Sequence, residues 1–278
     1  MTELRKRFMQ DLKLAGYSEK TILLYTGTVR RLAEYYWKSP ANLSPQDIKD
    51  YLIYLIDDLK LSASYIKQAA RAAQLIWTLT LKREWKDLGI IRPKCRKQLP
   101  VALCKIEIQK ILNHTPNLKY KCIFAVMYSS GLRLNEALHL RVSDMDSSRM
   151  QIHIKYAKFS IPRYSIFSKK TLLMLRDYCR KYRPKDWLFY SGQYPDQPLN
   201  CRCVQKEFQY SVKRAGIIKE NIRPHSLRHS FATHLLDSNL NLRVIQELLG
   251  HKHVSSTAIY THVSNALISS AVSPFDTE

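Results

Sequence analysis

Apolar residues recur at intervals of three and four along most of this chain, and only between residues 150 and 167 does the interval shorten to two. Helical spacing gathers apolar side chains on one face, whereas alternation suits a strand half-buried against a core. The fold class expected is therefore mainly α: a helical N-terminal unit, then a mixed, mostly helical unit with a small β-sheet. From Ser18, "SEKTILLYTGTVRRLAEYY" sets Ile22, Tyr25, Val29, Leu32 and Tyr36 on one stripe behind a serine cap. "SPQDIKDYLIYLIDDL" opens with Ser44 as cap, Pro45 in the first helical position and Asp47 in the first turn. A third helix begins near Ser62, with Ile66, Ala70, Ala73 and Trp77 inward and Lys67, Arg71 and Gln74 on another face. Roughly the first 85 residues thus read as an all-helical bundle.

The helical period fails at "GIIRPKCRKQLP", residues 89–100, which holds two prolines together with Arg92, Lys94, Arg96 and Lys97. Such a segment reads as an exposed interdomain linker, basic enough to track a phosphate backbone. Beyond it, helices are expected at 105–114, 118–130, 134–140, 168–182, 201–215, 225–237 and 242–249, with "MQIHIKYAK" and "PRYSIF" forming a β-hairpin. The expected organisation is a helical unit at 1–90, a linker at 91–100, a larger unit at 101–264 and a tail at 265–278. Ala266, Leu267, Ile268, Ala271, Val272 and Phe275 make that tail too apolar for a free terminus, so it is expected to dock on a neighbouring subunit.

Charge narrows the function. The 278 residues carry 45 Lys and Arg against 23 Asp and Glu, a formal net charge of +22, and an anionic partner explains that excess better than a solvated surface does. Nucleic acid leads the list. There is no apolar run of membrane-spanning length, and the opening "MTELRKRFMQ" lacks the apolar core of a signal peptide, so a cytoplasmic protein without a membrane partner is expected. Cysteines 95, 104, 122, 179, 201 and 203 form no C-x-x-C pair and read as reduced, mostly packed thiols. Glycines are scarce, seven in all, so each is expected to have a backbone role; Gly131 precedes Leu132 and Arg133, and Gly250 precedes His251.

Three stretches concentrate groups able to do chemistry: "SSGLRLNEALHLRVSDMD" at 129–146, "RPHSLRHSFATHLL" at 223–236 and "LLGHKHVSSTAIYTHV" at 248–263. As a helix, the second places His225, Arg228 and His229 on one side, with Leu227, Phe231 and His234 roughly opposite. It is expected to pack one face into the domain and turn the other outward. His225 and His229 stand at i and i+4, as zinc ligands can, but neither the glutamate of H-E-x-x-H nor a third ligand accompanies them, and no metal is expected. Glu136, Asp144 and Asp146 are bunched within one helix and its following turn and read as structural.

Arg133, then His225 with Arg228, then His251, then Tyr260 nine residues on, resembles the catalytic set of the tyrosine recombinases, the phage integrase family. The resemblance extends over nearly the whole chain, because a helical N-terminal bundle ending in a basic linker is similar to the SAM-like core-binding domain of an Xer-like, two-domain plan. It implies a site-specific recombinase or integrase that cleaves and rejoins double-stranded DNA as a homotetramer on paired sites, with accessory DNA-bending proteins as possible partners. The alternatives are a non-catalytic DNA-binding protein of the same fold and a monomeric DNA-relaxing enzyme of the same chemistry. By the same resemblance Arg133 and Arg228 hold the non-bridging oxygens of the scissile phosphate, His225 and His251 donate hydrogen bonds and assist proton transfer, and Tyr260 attacks to form a 3′-phosphotyrosyl link. Elementary chemistry agrees, since attack on a phosphodiester adds a second negative charge that planar, permanently charged guanidinium groups are suited to stabilise. The covalent link conserves the energy of the broken bond, so no cofactor is implied. The family hairpin G-K-G-x-K-x-R, whose first lysine protonates the leaving oxygen, corresponds here to "AKFSIPR": Lys158 and Arg163 persist while both glycines are replaced, and Lys155 is a possible substitute. DNA contacts are expected from Lys67, Arg71 and the linker residues Arg92, Lys94, Arg96 and Lys97.

Overall fold

The computed structural model describes residues 2–85, 101–155, 162–251 and 255–258, and contacts divide the chain into two compact units, Met1–Lys97 and Gln98–Glu278. In the first unit, α1 (Glu3–Leu14), α2 (Glu19–Tyr36), α3 (Pro45–Asp57) and α4 (Ala63–Leu75) pack as a bundle. Ser44 and Asp47 cap α3 reciprocally: the Asp47 amide donates to Ser44 Oγ at 3.1 Å, and the Ser44 amide donates to Asp47 Oδ2 at 2.7 Å. One buried cluster joins Leu32, Ile48, Leu52, Ile66, Ala73 and Trp77. A second brings Phe8 and Leu12 of α1, which the sequence reading did not single out, against Ile22, Val29 and Ala72.

Two details of this unit differ from expectation. On α4 the fully buried alanines are Ala69, Ala72 and Ala73, while Ala70 is only partly covered, because α4 is packed between α2 and α3 rather than along one stripe. The helix then widens into a π-helical turn over Ile76–Thr80. There Thr80 Oγ1 donates to Asp11 on α1 at 2.7 Å, and Trp77 remains in the core.

The second unit is organised around α6 (Leu118–Ser130), whose residues Cys122–Met127 are all buried. A helix apolar on every side belongs inside a domain. α5 (Lys105–Asn113), α7 (Leu134–Leu138), α8 (Lys169–Tyr182), α9 (Cys201–Arg214), α10 (Pro224–Asp237) and α11 (Leu242–Leu249) complete the helical part, and α12 (Ser255–Ala258) follows. The antiparallel sheet runs β1 (Met145–Asp146), β2 (Gln151–Ile154) and β3 (Arg163–Ile166), with Ile152 opposite Ser165 and Ile154 opposite Arg163. The two-residue β1 was not anticipated, and α7 ends two residues early, where His139 leaves the helical region. Of the thiols described, Cys104 and Cys203 are exposed, so the expectation of mostly packed cysteines holds for Cys122 and only partly for Cys179 and Cys201.

The largest correction concerns α10. Its outward face is narrower than expected: His225 is exposed on the first turn and His229 is half-buried, but Ser226, Leu227, Arg228, Ser230, Phe231, Ala232 and Thr233 are all buried, and the helix packs along α6. Thr233 Oγ1 is buried without a hydrogen bond among the described residues, but the other polar groups of this face are partnered. Ser230 Oγ accepts the Leu103 amide at 2.8 Å and donates to Ser226 O, while His234 Nδ1 meets the Tyr128 hydroxyl at 2.9 Å.

Candidate active site

Gly131 ends α6 in the left-handed conformation, at φ +63°, and the chain turns directly into α7. Glu136 occupies the third position of that helix, where a carboxylate can reach back to the N-cap. It accepts the Arg133 amide on Oε2 at 2.9 Å and Arg133 Nη1 on Oε1 at 2.6 Å. From β3, Arg163 adds a two-pronged pair to the same carboxylate, at 3.1 and 2.8 Å, and Arg228 Nη1 from α10 stands 3.5 Å from Oε2. Burial alone would raise the Glu136 pKa, but hydrogen bonds and charge from Arg163, with the charge of Arg228, hold it down at about 2. One buried anion thus gathers three guanidinium groups, leaving the cluster with surplus positive charge.

The second anchor is the C-terminus of α11. A helix leaves its last carbonyls without internal partners, and its negative dipole end favours cations. Here Leu248 O accepts Arg163 Nε at 2.9 Å, and Leu249 O accepts Arg228 Nη2 at 2.6 Å. Arg228 Nη1 also donates to Gly131 O at 2.7 Å. Gly250, at φ +63°, reverses the chain: its amide bonds to Glu247 O and the His251 amide to Gln246 O, a Schellman closure. A Cβ on Gly250 would stand 2.8 Å from Arg163 Cδ, so the site needs glycine for space as well as for conformation. Gln246 Nε2 then donates to His251 O at 2.9 Å, which fixes where that histidine begins.

The imidazoles complete the geometry. His251 Nε2 lies 3.0 Å from Arg228 Nη2, and its Nδ1 lies 2.9 Å from Thr257 Oγ1 on α12. Burial first, then Arg228 and Arg133, press the His251 pKa down to about 3. His225 and His229 meet edge to face at 5.2 Å. Burial likewise lowers the His229 pKa to about 4, and His225 is lowered by burial followed by the charges of Arg228 and Arg133. All three rings are therefore neutral near pH 7. Such a cluster of fixed cations beside neutral imidazoles suits an oxyanion.

The phage integrase family model matches residues 102–266, and that of the phage integrase N-terminal SAM-like domain matches residues 4–87. This chain belongs to the phage integrase family. It is 35% identical to a protein of Sinorhizobium fredii named integrase/recombinase y4qK, over 99% of this chain and 89% of that one. It is 30% identical to tyrosine recombinase XerA of Saccharolobus solfataricus, over 94% and 88% of the two chains. In fold it is similar to XerH recombinase bound to a palindromic difH substrate, with a TM-score of 0.73 at 22% identity, covering 92% of this chain and 80% of that one. It is thus a tyrosine-type site-specific recombinase, and none of these relatives favours the non-catalytic or DNA-relaxing alternative.

Of the residues expected in the recombinase site, the structure brings together Arg133, Arg228 and His251, with His225 on the first turn of α10 beside them. Arg228 is fully buried rather than presented on an open face, because two carbonyls and a histidine enclose it; Arg133, about one-third exposed, is the more accessible guanidinium. Lys158 and Tyr260 lie outside the described residues, as do Arg92, Lys94, Arg96 and Lys97. Lys67 and Arg71 are on α4, where Arg71 bonds to Gln74 and the Tyr17 hydroxyl. Lys155 Nζ is 2.7 Å from buried Asp144, and Asp146 accepts hydrogen bonds from Ser148 and the Arg149 amide. Sequence reasoning treated Glu136 as merely structural and gave no role to Thr257. The signal for Glu136 was present in the R-x-x-E spacing, which places a carboxylate at the third position of a helix whose cap is arginine.

Proposed function

We propose that Arg133, His225, Arg228 and His251 receive the scissile phosphate of duplex DNA and that Tyr260 attacks it. The bond from phosphorus to the 5′-oxygen breaks, a 3′-phosphotyrosyl link forms, and a second 5′-hydroxyl later reverses the step. The observation that carries this reading is the convergence of three arginines on Glu136 with surplus positive charge, beside neutral imidazoles. Arg133 and His225 supply the reachable edge, and buried Arg228 supplies charge from below. Each acidic side chain of the 136–146 stretch is engaged by a neighbour within the chain, so the reading routes no step through a metal. The deciding experiment compares the parent protein with Tyr260→Phe on labelled DNA. The variant keeps DNA affinity and forms no denaturant-resistant adduct; an adduct in the variant would place the nucleophile elsewhere.

Lys158 is assigned the proton delivered to the leaving 5′-oxygen, a contribution of about 10² to 10⁴ in rate for general acids of this kind. Lys158→Ala is slow on ordinary DNA and nearly normal on DNA with a 5′-bridging sulfur, which leaves without a proton. Equal slowing on both substrates would remove Lys158 from that role. The recombinase is proposed to act in the cytoplasm as a homotetramer on paired sites, bridged by the tail at 265–278. Truncation after Ser264 then spares single-site binding and impairs paired-site assembly in sedimentation.

A further inference from the structure

Thr257 is fully buried, and its hydroxyl is 2.9 Å from His251 Nδ1. Across the ring, Arg228 Nη2 is 3.0 Å from Nε2. A guanidinium has no lone pair and can only donate. Nε2 therefore accepts, the proton of the neutral ring sits on Nδ1, and Nδ1–H donates to Thr257 Oγ1. This tautomer is the wrong one for holding a phosphate, because a phosphate oxygen accepts and a neutral ring facing it must carry its proton on Nε2.

We propose that Thr257 is a positioning residue that lets His251 exchange tautomers when a DNA phosphate arrives, which rests on the reading of the site given above. The threonine hydroxyl is both donor and acceptor and rotates to suit. It accepts from Nδ1–H in the DNA-free enzyme and donates to the bare Nδ1 once Nε2 bears the proton. One proton leaves Nδ1 to solvent and one is taken up at Nε2, so the exchange has no net charge. An aspartate or a backbone carbonyl at this place could only accept, and would lock the resting tautomer. In the DNA-free enzyme burial first, then the charges of Arg228, Arg133 and Arg163, keep the ring from gaining a second proton, so its resting state is set by the tautomer and not by charge. Thr257 also lies three residues before Tyr260, the proposed nucleophile, in the sequence.

The test is nitrogen-15 NMR of histidine-labelled protein, with His251 assigned through His251→Gln. The DNA-free parent shows Nδ1–H at His251, and Tyr260→Phe bound to DNA shows Nε2–H. Thr257→Ser preserves both states and cleaves within about threefold of the parent, whereas isosteric Thr257→Val binds DNA normally but cleaves about 10- to 100-fold more slowly, taking as a guide the losses when outer partners of metal-bound histidines are removed. Nε2–H in the DNA-free parent, an unchanged tautomer on DNA, parental cleavage by Thr257→Val, or equal loss in the serine and valine variants would each overturn the assignment. The DNA-free measurement stands whether or not the phosphate reading holds, so the two can fail separately.

Discussion

Arg163 and Glu136 form a two-pronged ion pair, at 3.1 and 2.8 Å, between the first residue of β3 and the helix capped by Arg133. Arg163 also donates to Leu248 O, so one guanidinium joins three elements of the site. Removing one partner of a buried pair typically costs about 3–5 kcal/mol, since the other charge is left uncompensated. Arg163→Met is expected to cost about that much in urea unfolding. In a Glu136→Gln background the same change costs at least about 1 kcal/mol less, because the pair is already broken. Additive losses would show that Arg163 acts through Leu248 rather than through Glu136.

Acid should weaken the DNA-free fold before it touches Glu136. His229 and His251 have folded pKa values of about 4 and about 3, below the usual 6.5, so the unfolded chain binds protons first as the pH falls. Their contribution is complete above about pH 6.5 and is lost on the way down to their folded values. The urea midpoint is therefore expected to fall between pH 7 and pH 4, and His229→Asn to flatten that decline. A midpoint that rises over this window would contradict the assignment of neutral rings. Glu136, held at about 2 against an ordinary 4.5, keeps its full contribution down to about pH 4.5 and loses it between there and about pH 2.

Gly131→Ala should be costly for two separable reasons. An alanine at φ +63° loses about 1–2 kcal/mol to the left-handed conformation. Its Cβ would also stand 2.4 Å from Phe231 Cδ1. Gly131→Ala is expected to lower the melting temperature by several degrees, and adding Phe231→Leu to recover part of the loss. Full recovery by the double change would mean that the backbone conformation carries no penalty.

On α4, Lys67 and Arg71 are proposed phosphate contacts. Replacing both with alanine is expected to weaken DNA binding and to reduce the log–log salt slope by close to one unit for each lost contact. Unchanged affinity and slope across 50–200 mM salt would identify this face as merely solvated.

The helical plan was legible because apolar spacing and caps such as Ser44 with Asp47 are local properties of the chain. α1 was harder to anticipate: Thr2 makes no side-chain cap, and Phe8 and Leu12 acquire meaning only when Ala72 and Ile76 come to meet them. Likewise, the order Arg133, His225, Arg228 and His251 could be read, but its enclosure could not. The groups that bury Arg228 are the carbonyls of Gly131 and Leu249, and a carbonyl is the same atom in every residue. Arg228 is missing from the expected open face of α10 for that reason, while His225 stays exposed on it. A periodicity argument counts apolar side chains and cannot see a buried cation whose acceptors are main chain.

Main-chain acceptors also bear on how freely such an enzyme can be retargeted. A charge held by carboxylates is lost when those side chains are exchanged, whereas peptide oxygens at the ends of α6 and α11 persist through any substitution that spares the path of the backbone. DNA-facing surfaces could then be rewritten extensively while Arg228 stays charged and fixed. The intolerant positions would be Gly131 and Gly250, which touch no substrate in the proposed reaction yet give those oxygens their place.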